Sequence, residues 1–223
     1  MGSLYYATYS SILRRLIPLV MSVDIRGIEH ISATGPCLLV SNHLSNADSF
    51  CLIASIRRPF YGMAKAELFE RWLVRWVIAG LEPIKVQRHG SDRQALRQAE
   101  DYLRRGRMLL LYAEGTRSKT GEMQEARAGV VFLAQRTGAP IVPIAISGTD
   151  KLFKRTIPWY RRVPVQITIG APFHLADVGE VERRNRHEMA QAVMARVAAL
   201  LPPAYQGVHR PNQPSGVTTV SEP

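Results

Sequence analysis

His43 and Asp48 stand five positions apart in Ser41-Asn42-His43-Leu44-Ser45-Asn46-Ala47-Asp48. They are the residue types of a general base and its orienting acid. An imidazole titrates near neutrality and can take up a proton there. A carboxylate on its far nitrogen fixes the tautomer and favours the imidazolium that forms. Residues five apart on a continuous helix are about 140° apart around its axis. The two can therefore meet only if His43 lies in a loop and Asp48 in the first helical turn. Ser45 would then cap that helix and make Asp48 the acid of an S-x-x-D capping box, a structural job that needs no histidine. This stretch alone supports both readings.

The elements that would position these residues alternate as in α/β proteins. Short apolar runs predict strands at 23–28, 37–41, 60–64, 83–87, 108–113, 141–147 and 165–169. Helical patterns fall at 46–56, 67–79, 91–105, 127–137 and 181–200, with Ser91 as a cap and Gly80, Gly106 and Gly138 at the stops. Along 181–200, Met189, Val193, Val197 and Leu200 recur at helical spacing as packing residues. The expected fold is one α/β domain with a mostly parallel central sheet of about seven strands flanked by helices. Polar clusters follow the strands: Asn42-His43, Lys65, Arg88, Glu114-Gly115-Thr116-Arg117-Ser118 and Gly148-Thr149-Asp150. In mostly parallel sheets, ligands bind beyond the carboxyl ends of the strands, so parallel strands would bring these clusters to one edge. Lys65, Arg88 and Arg117 add fixed positive charge, and an arginine fork can hold a phosphate with two hydrogen bonds. Base, acid and phosphate clamp suit the deprotonation of a hydroxyl on a phosphorylated molecule.

The composition is that of a globular protein, with 46% hydrophobic and 21% charged residues. Twenty-nine Lys and Arg against eighteen Asp and Glu give +11, a balance that favours an anionic partner: nucleic acid, a phosphorylated substrate or an anionic membrane face. Cys37 and Cys51 lack metal or redox spacing and read as buried free thiols in a reducing compartment. No secretory signal and no apolar run long enough to span a bilayer are found. Residues 1–22 read as an amphipathic helix interrupted or kinked at Pro18. Tyr5, Tyr9, Ile12, Leu13, Leu16 and Val20 fall on one face; Ser10, Ser11, Arg14 and Arg15 fall on the other. Such a helix suits a membrane interface, or packs on the domain. Residues 23–205 form the main domain, and 206–223, rich in Pro, Gly, Ser and Thr, read as a disordered tail.

NHLSNAD at 42–48 resembles the NHx4D motif of the glycerolipid acyltransferases, specifically the 1-acyl-glycerol-3-phosphate acyltransferase family. AEGTRS at 113–118 resembles that family's EGTR block, KAELF at 65–69 running on to Arg88 its second block, and IVPIAISG at 141–148 its fourth. The four occur in family order across roughly residues 24–170. The resemblance implies that His43 is the general base on a glycerol hydroxyl, that Asp48 orients it, and that acyl-CoA or acyl-carrier protein is the donor. It implies that Arg88 and Arg117, with Lys65, bind the acceptor phosphate. Asn42 positions the loop, and Glu114, Gly115 and Thr116 belong to the acceptor pocket, Glu114 holding Arg117 or a glycerol hydroxyl. No bound cofactor and no metal is implied. The expected partners are a lysophosphatidate-type lysolipid and an anionic membrane surface, with the protein peripheral on its cytoplasmic side.

Two departures stand out. Tyr112-Ala113 replaces the usual Phe-Pro before EGTRS, and ELFERWLVRW lacks the usual proline, leaving a helix with Trp72 and Trp76 on one side. The second bears on the acceptor, which could instead be glycerol-3-phosphate or a lyso-ornithine lipid. KLFKRTIPWYRR at 151–162 interleaves basic and aromatic residues, as suits anionic headgroups or a solvated loop. A basic nucleic-acid-binding protein would leave both polar motifs unexplained, and no nucleic-acid motif is present. An inactive lipid-binding protein would have no use for an intact His43 and Asp48.

Overall fold

The computed structural model describes residues 3–70, 81–86, 93–152, 161–179 and 185–211. Helix α1 (Ser3–Val20) leads without a loop into strand β1 (Met21–Arg26). There follow β2 (Cys37–Ser41), α2 (Ala47–Ser55), β3 (Phe60–Lys65), β4 (Ile84–Val86) and α3 (Arg93–Arg104). The order continues with β5 (Met108–Tyr112), α4 (Gly129–Thr137), β6 (Ile141–Ser147), β7 (Val163–Ile169) and α5 (Arg186–Ala198). The seven strands form one sheet in the order β1-β7-β6-β2-β5-β3-β4. Every pairing is parallel except β6 with β7. Strands β6, β2, β5, β3 and β4 thus share a direction, and β7 and β1 run against them.

The central strands are uniformly apolar because both of their faces are covered. Alternate residues part between two cores. Leu38, Val40, Leu109, Leu111 and Ile141 pack with α3, α4 and α5 on one face. Cys37, Leu39, Met108, Leu110 and Val142 pack with α1 and α2 on the other. Cys37 and Cys51 are free and buried, and burial pushes their thiols up to about 11 and about 12, which leaves them unreactive at neutral pH.

Helix α1 docks on the domain through Tyr6, Ser10 and Ile17, all buried. The Tyr6 hydroxyl donates to Ile56 O at 3.0 Å, and Arg14 Nε donates to Ala54 O at 2.8 Å, at the carboxyl end of α2. The apolar side read from the sequence is docked only in part: Tyr9 and Leu13 pack against the core. Leu16 is 52% exposed, and Ile12, Leu19 and Val20 also face outward. The helix runs through Pro18 and ends two residues later.

Several boundaries differ from expectation. Strand β1 begins at Met21, because the register with β7 starts at Met21–Val163. Helix α5 begins at Arg186, where Asn185 Oδ1 accepts from Glu188 N at 2.9 Å. The expected tail boundary at 206 is displaced: a short turn at Gly207–His209 is tied down by Val208 N donating to Met123 O, and the described chain runs to 211. Of the expected helix at 67–79 only residues 67–70 are described, and Ala66–Phe69 form a 3-10 turn. Residues 71–80, Ser91 and residues 153–160 of the basic-aromatic stretch lie outside the described residues.

Candidate active site

The carboxyl ends of β2, β3, β5 and β6 deliver His43, Lys65, Glu114 and Thr149 to one edge of the sheet, as the parallel reading requires. Lys65 closes β3 with its backbone paired to Val86. Arg88 lies outside the described residues.

Strand β2 ends at Ser41, and Asn42 extends its pairing by other means. Its carboxamide donates to Ile146 O at 2.8 Å and accepts from Ile146 N at 2.9 Å, so one fully buried side chain imitates a strand residue against β6. Both of its polar ends are thereby occupied within the fold. The chain then turns, and α2 begins four residues after His43.

The Asp48 carboxylate is fully buried and accepts four hydrogen bonds. Oδ2 takes His43 Nδ1 at 2.7 Å, Leu44 N at 2.7 Å and Ser45 N at 2.9 Å. Oδ1 takes the Thr149 hydroxyl at 2.5 Å. Of the expected capping box only the bond from Ser45 N to Asp48 forms, and the helix is capped instead by Asn46 without a side-chain bond; the same carboxylate closes the turn at Ser45 and holds the imidazole. An ionised carboxylate only accepts, so Nδ1 is the donor in this contact, an arrangement that in the neutral tautomer leaves the ring's lone pair at Nε2. The His43 side chain keeps 16% exposure beside its buried partner, an opening at the sheet edge.

The loop after β5 grips the His43 peptide unit from both sides. Glu114 Oε1 accepts from His43 N at 3.2 Å, and Ser118 N donates to His43 O at 2.8 Å. Glu114 Oε2 accepts from the backbone and side-chain nitrogens of Gln124 at 3.1 and 3.3 Å. In the structure Glu114 bonds to His43 and Gln124 rather than to Arg117, and its two oxygens brace the loop that carries the histidine. Burial pushes the Glu114 carboxyl up to about 7 against the opposing pull of the Gln124 and His43 hydrogen bonds. Gly115 has φ +72°, and a Cβ there would fall 2.6 Å from Arg127 Nε, so the glycine answers both the backbone and the side chain crossing it. Thr116 and Arg117 are exposed on the outer turn of the loop.

Three residues absent from the sequence-based site complete this arrangement: Thr149, Gln124 and Tyr112, whose ring stacks on His43. The cluster Gly148-Thr149-Asp150 pointed to the first, whereas the partnership of Gln124 with Glu114 arises only when the loop closes.

A buried carboxylate, a partly exposed imidazole bonded to it through Nδ1 and an exposed arginine on the neighbouring loop suit the deprotonation of a hydroxyl on an anionic acceptor. Residues 22–147 match the family model described as Acyltransferase, more than half of the chain, and the chain belongs to that family. Among its relatives is the chloroplast 1-acyl-sn-glycerol-3-phosphate acyltransferase of Brassica napus, 32% identical over 132 residues, a match covering 58% of this chain and 38% of that one. The 1-acyl-sn-glycerol-3-phosphate acyltransferase of Pseudomonas aeruginosa is 29% identical over 198 residues, covering 87% of this chain and 76% of its own length. The fold is shared with the crystal structure of the 1-acyl-sn-glycerophosphate acyltransferase of Thermotoga maritima, with a TM-score of 0.66 at 24% identity over 89% of this chain and 79% of that one.

Proposed function

We propose that the chain transfers an acyl group from acyl-CoA or acyl-carrier protein to the free hydroxyl of 1-acyl-glycerol-3-phosphate, forming phosphatidate. The observation that carries this reading is the buried Asp48 carboxylate bonded to His43 Nδ1 at the sheet edge. His43 Nε2 takes the hydroxyl proton as the acceptor oxygen bonds to the thioester carbonyl carbon. The carbon–sulfur bond then breaks, and the leaving thiolate recovers that proton from the imidazolium. The acceptor hydroxyl is itself the nucleophile, so no acyl-enzyme intermediate is needed. Arg117, with Lys65 and Arg88, meets the acceptor phosphate. Relatives named as 1-acyl-sn-glycerol-3-phosphate acyltransferases support this choice of acceptor.

The reading includes peripheral attachment to an anionic membrane surface. Among the described residues no helix is long and apolar enough to cross a membrane. The outward row Ile12, Leu16, Leu19 and Val20 on α1, together with a net charge of +11, supports interfacial binding.

Purified protein assayed with acyl-CoA and acyl-carrier protein against lysophosphatidate, glycerol-3-phosphate and a lyso-ornithine lipid tests the reaction. Turnover confined to an acceptor other than lysophosphatidate overturns the substrate. His43→Ala should lose about 10²–10⁴ in kcat with folding intact, and substantial residual turnover overturns the mechanism. Leu16→Asp with Leu19→Asp should abolish pelleting with phosphatidylglycerol vesicles, and unchanged pelleting refutes the interfacial helix.

A further inference from the structure

Tyr112 is the last residue of β5 and lies against one face of His43. The two rings are nearly parallel, at 9°, with centroids 3.8 Å apart. The tyrosine is itself held at both ends. Its backbone is in register with Ser41 of β2, and its hydroxyl meets Ser49 Oγ at 2.9 Å, one residue beyond Asp48 on α2. The phenol is kept protonated by burial, reinforced by the nearby Asp48 charge and opposed by the Ser49 hydrogen bond.

A single hydrogen bond from Nδ1 to Asp48 leaves the imidazole free to swing about that contact. A ring covering one face removes the swing, because rotation would drive the imidazole into the phenol. Two perpendicular restraints, one in the plane and one across it, together aim Nε2. The stacked surface has an electronic consequence too. An aromatic face carries negative quadrupolar density and attracts a cation lying over it. The imidazole is neutral before proton transfer and cationic after it, so the attraction strengthens as the reaction proceeds and lowers the barrier.

We infer that Tyr112 is the positioning residue of His43, fixing the plane of the imidazole and stabilising the imidazolium formed as the acceptor hydroxyl is deprotonated. The inference rests on His43 acting as base, which the activity of His43→Ala tests separately. Where the family pattern places Phe, the phenol of this chain adds a tether from β5 to α2, so hydroxyl and ring face make separable contributions.

The experiment replaces Tyr112 in the full chain by Phe, by 4-fluorophenylalanine, by pentafluorophenylalanine and by Leu, and measures kcat, acceptor KM and Tm. Phe keeps the ring and should retain kcat within about threefold. The fluorinated rings keep nearly the same shape while draining the face of electron density. Along that series kcat should fall stepwise to about a tenth of the Phe value, with acceptor KM unchanged. Leu should lose at least as much. A series in which kcat does not change from Phe to pentafluorophenylalanine overturns the stabilisation of the imidazolium. A well-folded Leu variant with wild-type kcat overturns the positioning. If Leu fails to fold, the three aromatic variants decide, since a purely space-filling role leaves their kcat values equal.

Discussion

Thr149 and Asp48 are joined across 101 residues of chain by the shortest of the hydrogen bonds around His43 and Asp48, 2.5 Å from hydroxyl to carboxylate. The threonine is the first residue past Gly148, which turns the chain at the end of β6 with φ +94°. It occupies the one oxygen of Asp48 that His43 and the α2 turn leave open.

Thr149→Val keeps the shape and removes the donor. A buried carboxylate oxygen is then left unmatched, a loss of about 1.5–3 kcal/mol in stability. Freed of its fourth bond, Asp48 holds His43 less firmly, and kcat should fall by about tenfold. Chemical denaturation and steady-state kinetics on Val and Ser variants check this, with Ser expected to restore most of both.

Asn42→Leu separates support from chemistry. The side chain bridges β2 to β6 through both polar groups of Ile146. Removing it leaves a buried backbone N–H and C=O unpaired, each at about 1–3 kcal/mol. The expected result is a lower Tm with acceptor KM unchanged in the fraction that remains folded.

Glu114 gives a pH signature of stability. Its carboxyl is raised in the folded state to about 7, whereas an exposed glutamate in the unfolded chain titrates near 4.3. Between those values the unfolded state has released its proton and the folded state still holds it. The contribution is thus fully present below about pH 4.3 and is lost as pH rises towards 7. Its size is at most about 4 kcal/mol. Urea denaturation between pH 4 and pH 8 should show this decline in the wild type and a flatter course in Glu114→Gln.

Gly115→Ala should disturb the loop rather than the core. A side chain there is strained by the positive φ and collides with Arg127. A cost of about 1–3 kcal/mol is expected, together with reduced kcat, because the same loop supplies Ser118 N to the His43 carbonyl.

Much of this architecture could be read from the chain. Strands β2 and β6 fall at 37–41 and 141–147 as the apolar runs predict, because strands covered on both faces have no tolerance for polar residues until they end. Edge strand β1 carries mostly exposed residues, so its start was set by the register with β7, which no local pattern encodes. For α1, periodicity identified an apolar side of which only Tyr9 and Leu13 dock, the helix being rotated towards Tyr6, Ser10 and Ile17. That rotation is set by Tyr6 and Arg14, whose partners, Ile56 and Ala54, lie 40 or more residues away. The pairing of His43 with Asp48 was legible from spacing and edge position. Thr149 was signalled by its polar cluster after β6, whereas Gln124 acquires its role only through tertiary closure, and Glu114 takes a bracing role because its loop folds back over its own carboxylate.

The segment at 205–209 carries a practical consequence. Tyr205 O accepts from Met123 N, Met123 O accepts from Val208 N, and the neighbouring Gln124 holds the carboxylate that braces His43. The far end of the domain is thus a strut for His43, one residue removed from its clamp. A cleavage site, fusion partner or epitope inserted between Leu201 and His209 would be felt at the imidazole as surely as a substitution beside it, while the same insertion after Pro211 would leave the strut whole.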